Sequence, residues 1–113
     1  MKELEEKTYQ YTVKGISLVK SLEKEFPELL SSELKQNIGK VSIKFMDALD
    51  ANETDDFAKF LRESYSSALK SLDLLKSMDE ITSQNLNEEK KKLIEETKLI
   101  VNQLDIIIQK LIY

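Results

Sequence analysis

One spacing in this chain resembles a catalytic arrangement, a serine followed three residues later by a lysine. In some enzymes that spacing pairs a hydroxyl nucleophile with an amine that activates it. It occurs at Ser17 and Lys20, Ser21 and Lys24, Ser32 and Lys35, and Ser67 and Lys70. Neither Ser-Asp-Asn nor Lys-Thr-Gly, the motifs that complete such a site, is present. Chance matches of this kind are expected in a chain rich in serine and lysine, so we predict no catalytic residue.

The acidic segment DALDANETDD, residues 47–56, is the strongest candidate for metal ligands. Aligned from Asp50 as a calcium loop, it places Asp55 where the loop needs glycine and Leu61 where it needs a bidentate glutamate. The chain also has no histidine and no cysteine, which removes the usual ligands of zinc and of di-metal helix bundles. We therefore expect no metal, no cofactor and no enzymatic activity.

The charge balance disfavours strong binding to nucleic acid. The formal net charge is −4, and Arg62 is the single arginine among the basic residues. Arginine is the residue best suited to bidentate phosphate and base contacts. Lys90, Lys91 and Lys92 form the only basic run, and three consecutive lysines spread around much of a helix. A solvated surface is the favoured interpretation, with Arg62 and these lysines kept as candidate nucleic-acid or partner contacts.

No part of the sequence predicts secretion or membrane insertion. The first ten residues, MKELEEKTYQ, are charged and lack the apolar segment of a signal peptide. The longest apolar runs, at 99–101 and 106–108, are far shorter than a membrane span. A cytoplasmic protein without a membrane segment is expected.

The chain should fold as a single all-α domain, residues 1–113. Two glycines and one proline allow few turns, and four segments show apolar residues at helical spacing. Short connections favour neighbouring helices packing against each other, which predicts an antiparallel up-down-up-down four-helix bundle. The first helix is expected from Glu3 or Thr8 to Glu25. The second should start near Ser31 or Ser32, and the third after Asn52 or Thr54. A connection at 79–87 should precede a fourth helix capped by Asn87.

The third helix should bury a stripe that becomes small and polar in its middle. Small residues there let a neighbouring backbone approach closely, and their hydroxyls can donate to the carbonyl four residues back. The stripe is Phe57, Leu61, Ser64, Ala68, Ser71, Leu75 and Met78.

Two helices carry more apolar residues than one bundle core requires. Ile43 and Met46 lie off the main stripe of the second helix, beside Gly39, and Leu99 and Ile106 lie off that of the fourth. Scattered surface hydrophobes are normal on any protein. Because the excess recurs at regular spacing on two helices, we interpret these five residues as a subunit interface.

The order and spacing of several short motifs resemble one family, the proteins encoded by intervening sequences in bacterial large-subunit ribosomal RNA genes. The accessory protein of diversity-generating retroelements is similar to that family. The resemblance covers about residues 9–112. The matching pieces are Phe26-Pro27, Leu34-Lys35, the interval from Asp47 to Phe57, the segment FAKFLR from Phe57 to Arg62, Ser67, and Leu86 followed by Asn87, Glu88 and Glu89.

This resemblance implies a four-helix bundle that assembles into a closed five-fold ring, with a protein or nucleic-acid partner. The chain departs from the family pattern at 40–48, KVSIKFMDA, which lacks the usual Pro, Asn and Gly. It also has Lys35-Gln36 where the family has two arginines. We therefore predict a non-catalytic, self-assembling interaction or adaptor protein. The alternative is a nucleic-acid-binding module that uses a weak basic surface.

Overall fold

Four helices make up nearly all of the structure, a computed structural model that describes residues 2–23, 28–78 and 84–112. They are α1 (Lys2–Leu22), α2 (Glu28–Asp50), α3 (Thr54–Ser77) and α4 (Gln84–Ile112). No strand occurs within these described ranges. The all-α prediction is confirmed.

The helices pack as a square bundle in which each contacts its two neighbours. Helix α1 contacts α2 and α4, and α3 contacts the same two, while the diagonal pairs lack backbone contact. Antiparallel order follows from cross-helix pairs: the Thr12 hydroxyl reaches the carbonyl of Ile38, the Ser64 hydroxyl that of Val41, the Lys90 ammonium that of Met78, and Lys14 pairs with Glu96. The up-down-up-down prediction is confirmed.

Two helices begin one turn earlier than the sequence predicted. Helix α2 starts at Glu28 instead of near Ser31, and α4 starts at Gln84 instead of at Asn87. Each added turn places a leucine, Leu30 or Leu86, against the core. Because burial of a leucine stabilises an extra turn, residues that are favoured at caps lie inside these helices instead.

The remaining predicted limits agree more closely. Helix α3 begins at Thr54, with Glu53 at the N-cap position and no side-chain capping hydrogen bond. Helix α1 ends at Leu22, and the predicted end at Glu25 lies outside the described residues. Of the predicted connection, 84–87 is helical and 79–83 is outside the described part.

The core is a column of aliphatic side chains with a small-residue contact between α2 and α3. The predicted α3 stripe is buried from Leu61 to Met78, and Phe57 is partly buried. Ser71 donates to the carbonyl of Ser67, as expected, at 2.9 Å. Ser64 differs, because its hydroxyl donates across the interface to the carbonyl of Val41 at 2.6 Å. The small side chain thus permits both close approach and a hydrogen bond between helices.

Candidate interaction surfaces

An apolar surface covers the outer side of the α1–α2 pair, and we call it the α1–α2 face. Ile43 is 58% exposed and Met46 40% exposed. Helix α1 adds two residues that the sequence reasoning missed, Tyr9 and Val13, one helical turn apart and 60% and 50% exposed. Tyr9 and Met46 line the same groove between the two helices. The missed signal was this i, i+4 apolar pair on the outward side of α1.

Gly39 lies on the same side of α2 as Ile43 and Met46, one helical turn before Ile43. A Cβ atom at position 39 would meet no atom of the described residues within 4 Å, so packing among those residues does not require a glycine there. Glycine in the middle of a helix costs about 1 kcal/mol relative to alanine. We define the α1–α2 face as Tyr9, Val13, Gly39, Ile43 and Met46.

A second apolar surface lies on α4, and we call it the α4 ridge. It consists of Leu99 and Ile106, which are 58% and 46% exposed and two helical turns apart. Leu99 lines a groove of about 460 Å³ between α1 and α4, whose opposite wall includes Lys7 and Lys14. Ile106 lines the continuation of that groove toward the start of α1. The α1–α2 face includes residues of α1 itself, whereas the α4 ridge lies across the α1–α4 groove from that helix, so the two apolar surfaces are separate.

The candidate basic residues do not form one patch. Arg62, Lys91 and Lys92 are exposed, but Lys90 is only 9% exposed and donates to the carbonyl of Met78 at 3.3 Å. Lys90 lies beside Met78, at the end of α3. Because a helix rises 1.5 Å per residue, Arg62 lies roughly 24 Å from that point along α3. The run of three lysines is therefore divided between the interior and the surface.

Three buried polar side chains are hydrogen-bonded to one another inside the bundle. The Tyr11 phenol on α1 lies 3.1 Å from the hydroxyl of Thr97 on α4 and is also hydrogen-bonded to Ser71 on α3. These two contacts join α1 to α3 and α4. Thr97 also contacts the carbonyl of Leu93 at 2.7 Å. Burial raises the pKa of Tyr11 above its ordinary value, against the opposite effect of the two hydrogen bonds. These groups hold the helices in register.

The acidic segment 47–56 closes α2 and opens α3. Asp55 and Asp56 lie in the first turn of α3, where they complement the helix dipole, and Asp47 lies 4.0 Å from the ammonium of Lys44. Within the three described ranges, no three acidic side chains gather closely enough to hold a metal ion. Over their described residues, none of the four helices has an apolar stretch sufficient to cross a bilayer.

The chain is similar to a solved structure, but no family model matches it and no curated protein matches its sequence. That structure is of a protein with unknown function from the S23 ribosomal protein family of Bacteroides thetaiotaomicron. The likeness covers 96% of both chains, with a TM-score of 0.83 and 20% sequence identity. At this identity the likeness shows a shared fold. It does not test the predicted similarity to the retroelement accessory protein.

Proposed function

We propose that this chain is a non-catalytic interaction protein that assembles with copies of itself, of the ribosomal-RNA intervening-sequence type. The observation that carries the proposal is the pair of separate apolar surfaces, the α1–α2 face and the α4 ridge. Their large side chains are 40% to 60% exposed in the single chain. Paired apolar surfaces of this kind are typical of interaction sites.

The proposed assembly is a closed ring, most simply the five-membered ring that the sequence resemblance implies. Two different surfaces on one chain favour head-to-tail contacts, and such contacts generate rings when the rotation between subunits closes. The family resemblance of the sequence supports the same proposal, and the fold shared with a member of the S23 ribosomal protein family supports the four-helix bundle from which the ring would be built.

The nucleic-acid alternative has weaker support. Its candidate contacts are split between the middle of α3 and the first half of α4, and Lys90 is bonded to a backbone carbonyl. Lys92 lines a groove together with Lys14, Glu89 and Glu96, so the two glutamates offset the charge of the two lysines that could hold a phosphate. If nucleic acid does bind, affinity should fall steeply with salt.

The deciding experiment is the native mass by light scattering on a size-exclusion column, with absorbance at 260 and 280 nm. We expect a mass near five times the 13.1 kDa chain. Ile43→Lys and Ile106→Lys should each dissociate the assembly and keep the helical circular-dichroism spectrum. Leu69→Lys is the matched control, because Leu69 is exposed on α3 outside both surfaces and its variant should keep the native mass. A monomeric wild-type protein would refute self-assembly, and a 260 nm excess in the peak would revive the nucleic-acid alternative.

A further inference from the structure

We propose that the groove between α1 and α4 binds a basic amphipathic helix of another protein. Such a helix would lay its apolar side between the two bundle helices and place a lysine or arginine at the end of the groove where α1 begins. The inference rests on the proposed role as an interaction protein and adds the chemistry of a partner. Leu99 and Ile106 belong both to the α4 ridge and to the wall of the groove, so the helix would compete with a neighbouring copy for these two side chains.

The groove has the length and the apolar lining that a short helix requires. Its main section has a volume of about 460 Å³, and a second section of about 240 Å³ continues it toward the start of α1. Glu3 and Lys7 line both sections, which are therefore continuous. Along α4 the lining runs from Glu96 to Ile107, which is roughly 16 Å, or three helical turns. The apolar residues that line it are Leu4, Leu99, Ile100, Ile106 and Ile107.

The spacing of the exposed apolar residues along the groove favours a helix over an extended peptide. Leu99 and Ile106 are 58% and 46% exposed and lie two turns apart, roughly 10 Å along α4. A helix bound in a groove presents its own apolar anchors at i, i+3, i+4 and i+7, which span the same interval. In an extended peptide, side chains on one side recur at about 7 Å instead.

The end of the groove beside the start of α1 is rich in hydrogen-bond acceptors. Oε1 of Gln103 is buried there and has no hydrogen-bond partner among the described residues. Glu3 lines the same section and Glu6 lines the main one, and over the described ranges neither carboxylate is ion-paired. Lys7 offsets one of these two negative charges. Because a buried acceptor without a partner costs free energy, a lysine or arginine of the bound helix is the donor that fits this end.

The same charges disfavour a nucleic acid or an anionic membrane as the occupant. A phosphate group in the groove would face Glu3 and Glu6, and the net charge of −4 acts in the same direction. A basic protein segment complements the groove in charge as well as in shape.

Binding of designed peptides to the Ile43→Lys chain tests the proposal. Ile43 lies on α2, so this variant keeps the groove between α1 and α4 while the proposed assembly is removed. The probe is a fluorescent peptide of about 14 residues, roughly 21 Å long as a helix, with leucine on one side and lysine on the other. A second peptide has glutamate in place of lysine. A third has the residues of the first in a scrambled order, without an apolar side.

We expect saturable binding of the first peptide in fluorescence anisotropy, and binding at least about 10-fold weaker for the other two. No binding of the first peptide would overturn the proposal, as would equal binding of the glutamate peptide. Equal binding of the scrambled peptide would also overturn it, because that result needs only attraction to an acidic chain. Each of these failures is distinct from failure of self-assembly, which is decided by the native mass of the wild-type protein.

Two pairs of variants, made in the same chain, locate the bound peptide. Glu3→Lys should weaken binding of the lysine peptide about 5-fold at low salt. Asp73→Lys, at an exposed position of α3, changes the net charge equally and should alter binding less than about 2-fold. Leu99→Ala should weaken binding about 10-fold, whereas Leu69→Ala, also exposed on α3, should have no effect. Equal effects within either pair would place the peptide outside the groove and overturn the proposal.

Discussion

Gly15 and Ile38 pack so closely that α1 and α2 require a glycine at their crossing. A Cβ atom at position 15 would lie 2.9 Å from Cγ2 and 3.0 Å from Cδ1 of Ile38. Ile38 is fully buried and its branched side chain has little freedom to move away. The contact therefore sets the distance between the first two helices.

Gly15→Ala should destabilise the fold even though alanine favours helix. Overpacking costs about 1–3 kcal/mol and the gain in helix propensity is about 1 kcal/mol, so we expect a net loss of about 1 kcal/mol in the free energy of unfolding. Urea unfolding in the Ile106→Lys background measures the chain without assembly. Gly39→Ala in the same background is the control, and should gain up to about 1 kcal/mol because its Cβ meets open space. Equal effects at the two glycines would contradict this account.

Ser64→Ala tests the hydrogen bond between α3 and α2. The Ser64 hydroxyl is fully buried and donates to the carbonyl of Val41, so its removal should lower the free energy of unfolding by about 1 kcal/mol. Ser66, exposed on the same helix, is the control, and Ser66→Ala should change stability by less than about 0.5 kcal/mol. A neutral Ser64→Ala would mean that close packing alone, without the hydrogen bond, stabilises this crossing.

The sequence predicted the architecture well because helical spacing is a strong local signal. The α3 stripe from Leu61 to Met78 and the exposure of Ile43 and Leu99 followed from periodicity alone. What failed depends on contacts across the bundle. The sequence around Gly15 gives no sign that this residue faces Ile38. The acceptor of the Ser64 hydroxyl depends on the neighbouring helix.

The limits of local reasoning are clearest at Lys90. The sequence gives no reason to expect that Lys90 differs from Lys91 and Lys92. In the structure, however, Lys90 is buried and donates a hydrogen bond to the carbonyl of Met78 at the end of α3. Tyr9 and Val13 differ from Lys90, because their i, i+4 spacing on the outward side of α1 was a local signal that the sequence reasoning missed.

Lys90→Met should destabilise the junction of α3 and α4. The methionine keeps most of the aliphatic stem and removes the ammonium that donates to the carbonyl of Met78. A hydrogen bond from a charged donor contributes about 1.5–3 kcal/mol, and we expect a loss near the lower end in urea unfolding because the bond is long, at 3.3 Å. Lys91→Met, at an exposed neighbour, is the control and should change stability by less than about 0.5 kcal/mol. Equal losses in the two variants would contradict a specific role for Lys90.

Tyr11 should make the stability of the bundle fall at alkaline pH. Its pKa is raised above the ordinary value of 10.0, first by burial, with a smaller effect in the same direction from Glu96. The folded chain therefore holds the phenol proton more tightly than the unfolded chain. That contribution to stability is fully present below about pH 10 and is lost as the pH rises from there through the folded-state pKa.

Tyr11→Phe should flatten this alkaline loss. Near neutral pH the variant should lose about 1 kcal/mol in its free energy of unfolding, because the hydrogen bonds to Thr97 and Ser71 are removed. Above about pH 10 its free energy of unfolding should fall less steeply than that of the wild type. Urea unfolding between about pH 9 and pH 11 measures both slopes. Tyr9→Phe, at an exposed tyrosine on the same helix, is the control. It should keep the slope of its parent when all three proteins carry Ile106→Lys, which removes the proposed assembly. Identical slopes for Tyr11→Phe and the wild type would show that ionisation of the buried phenol does not limit alkaline stability.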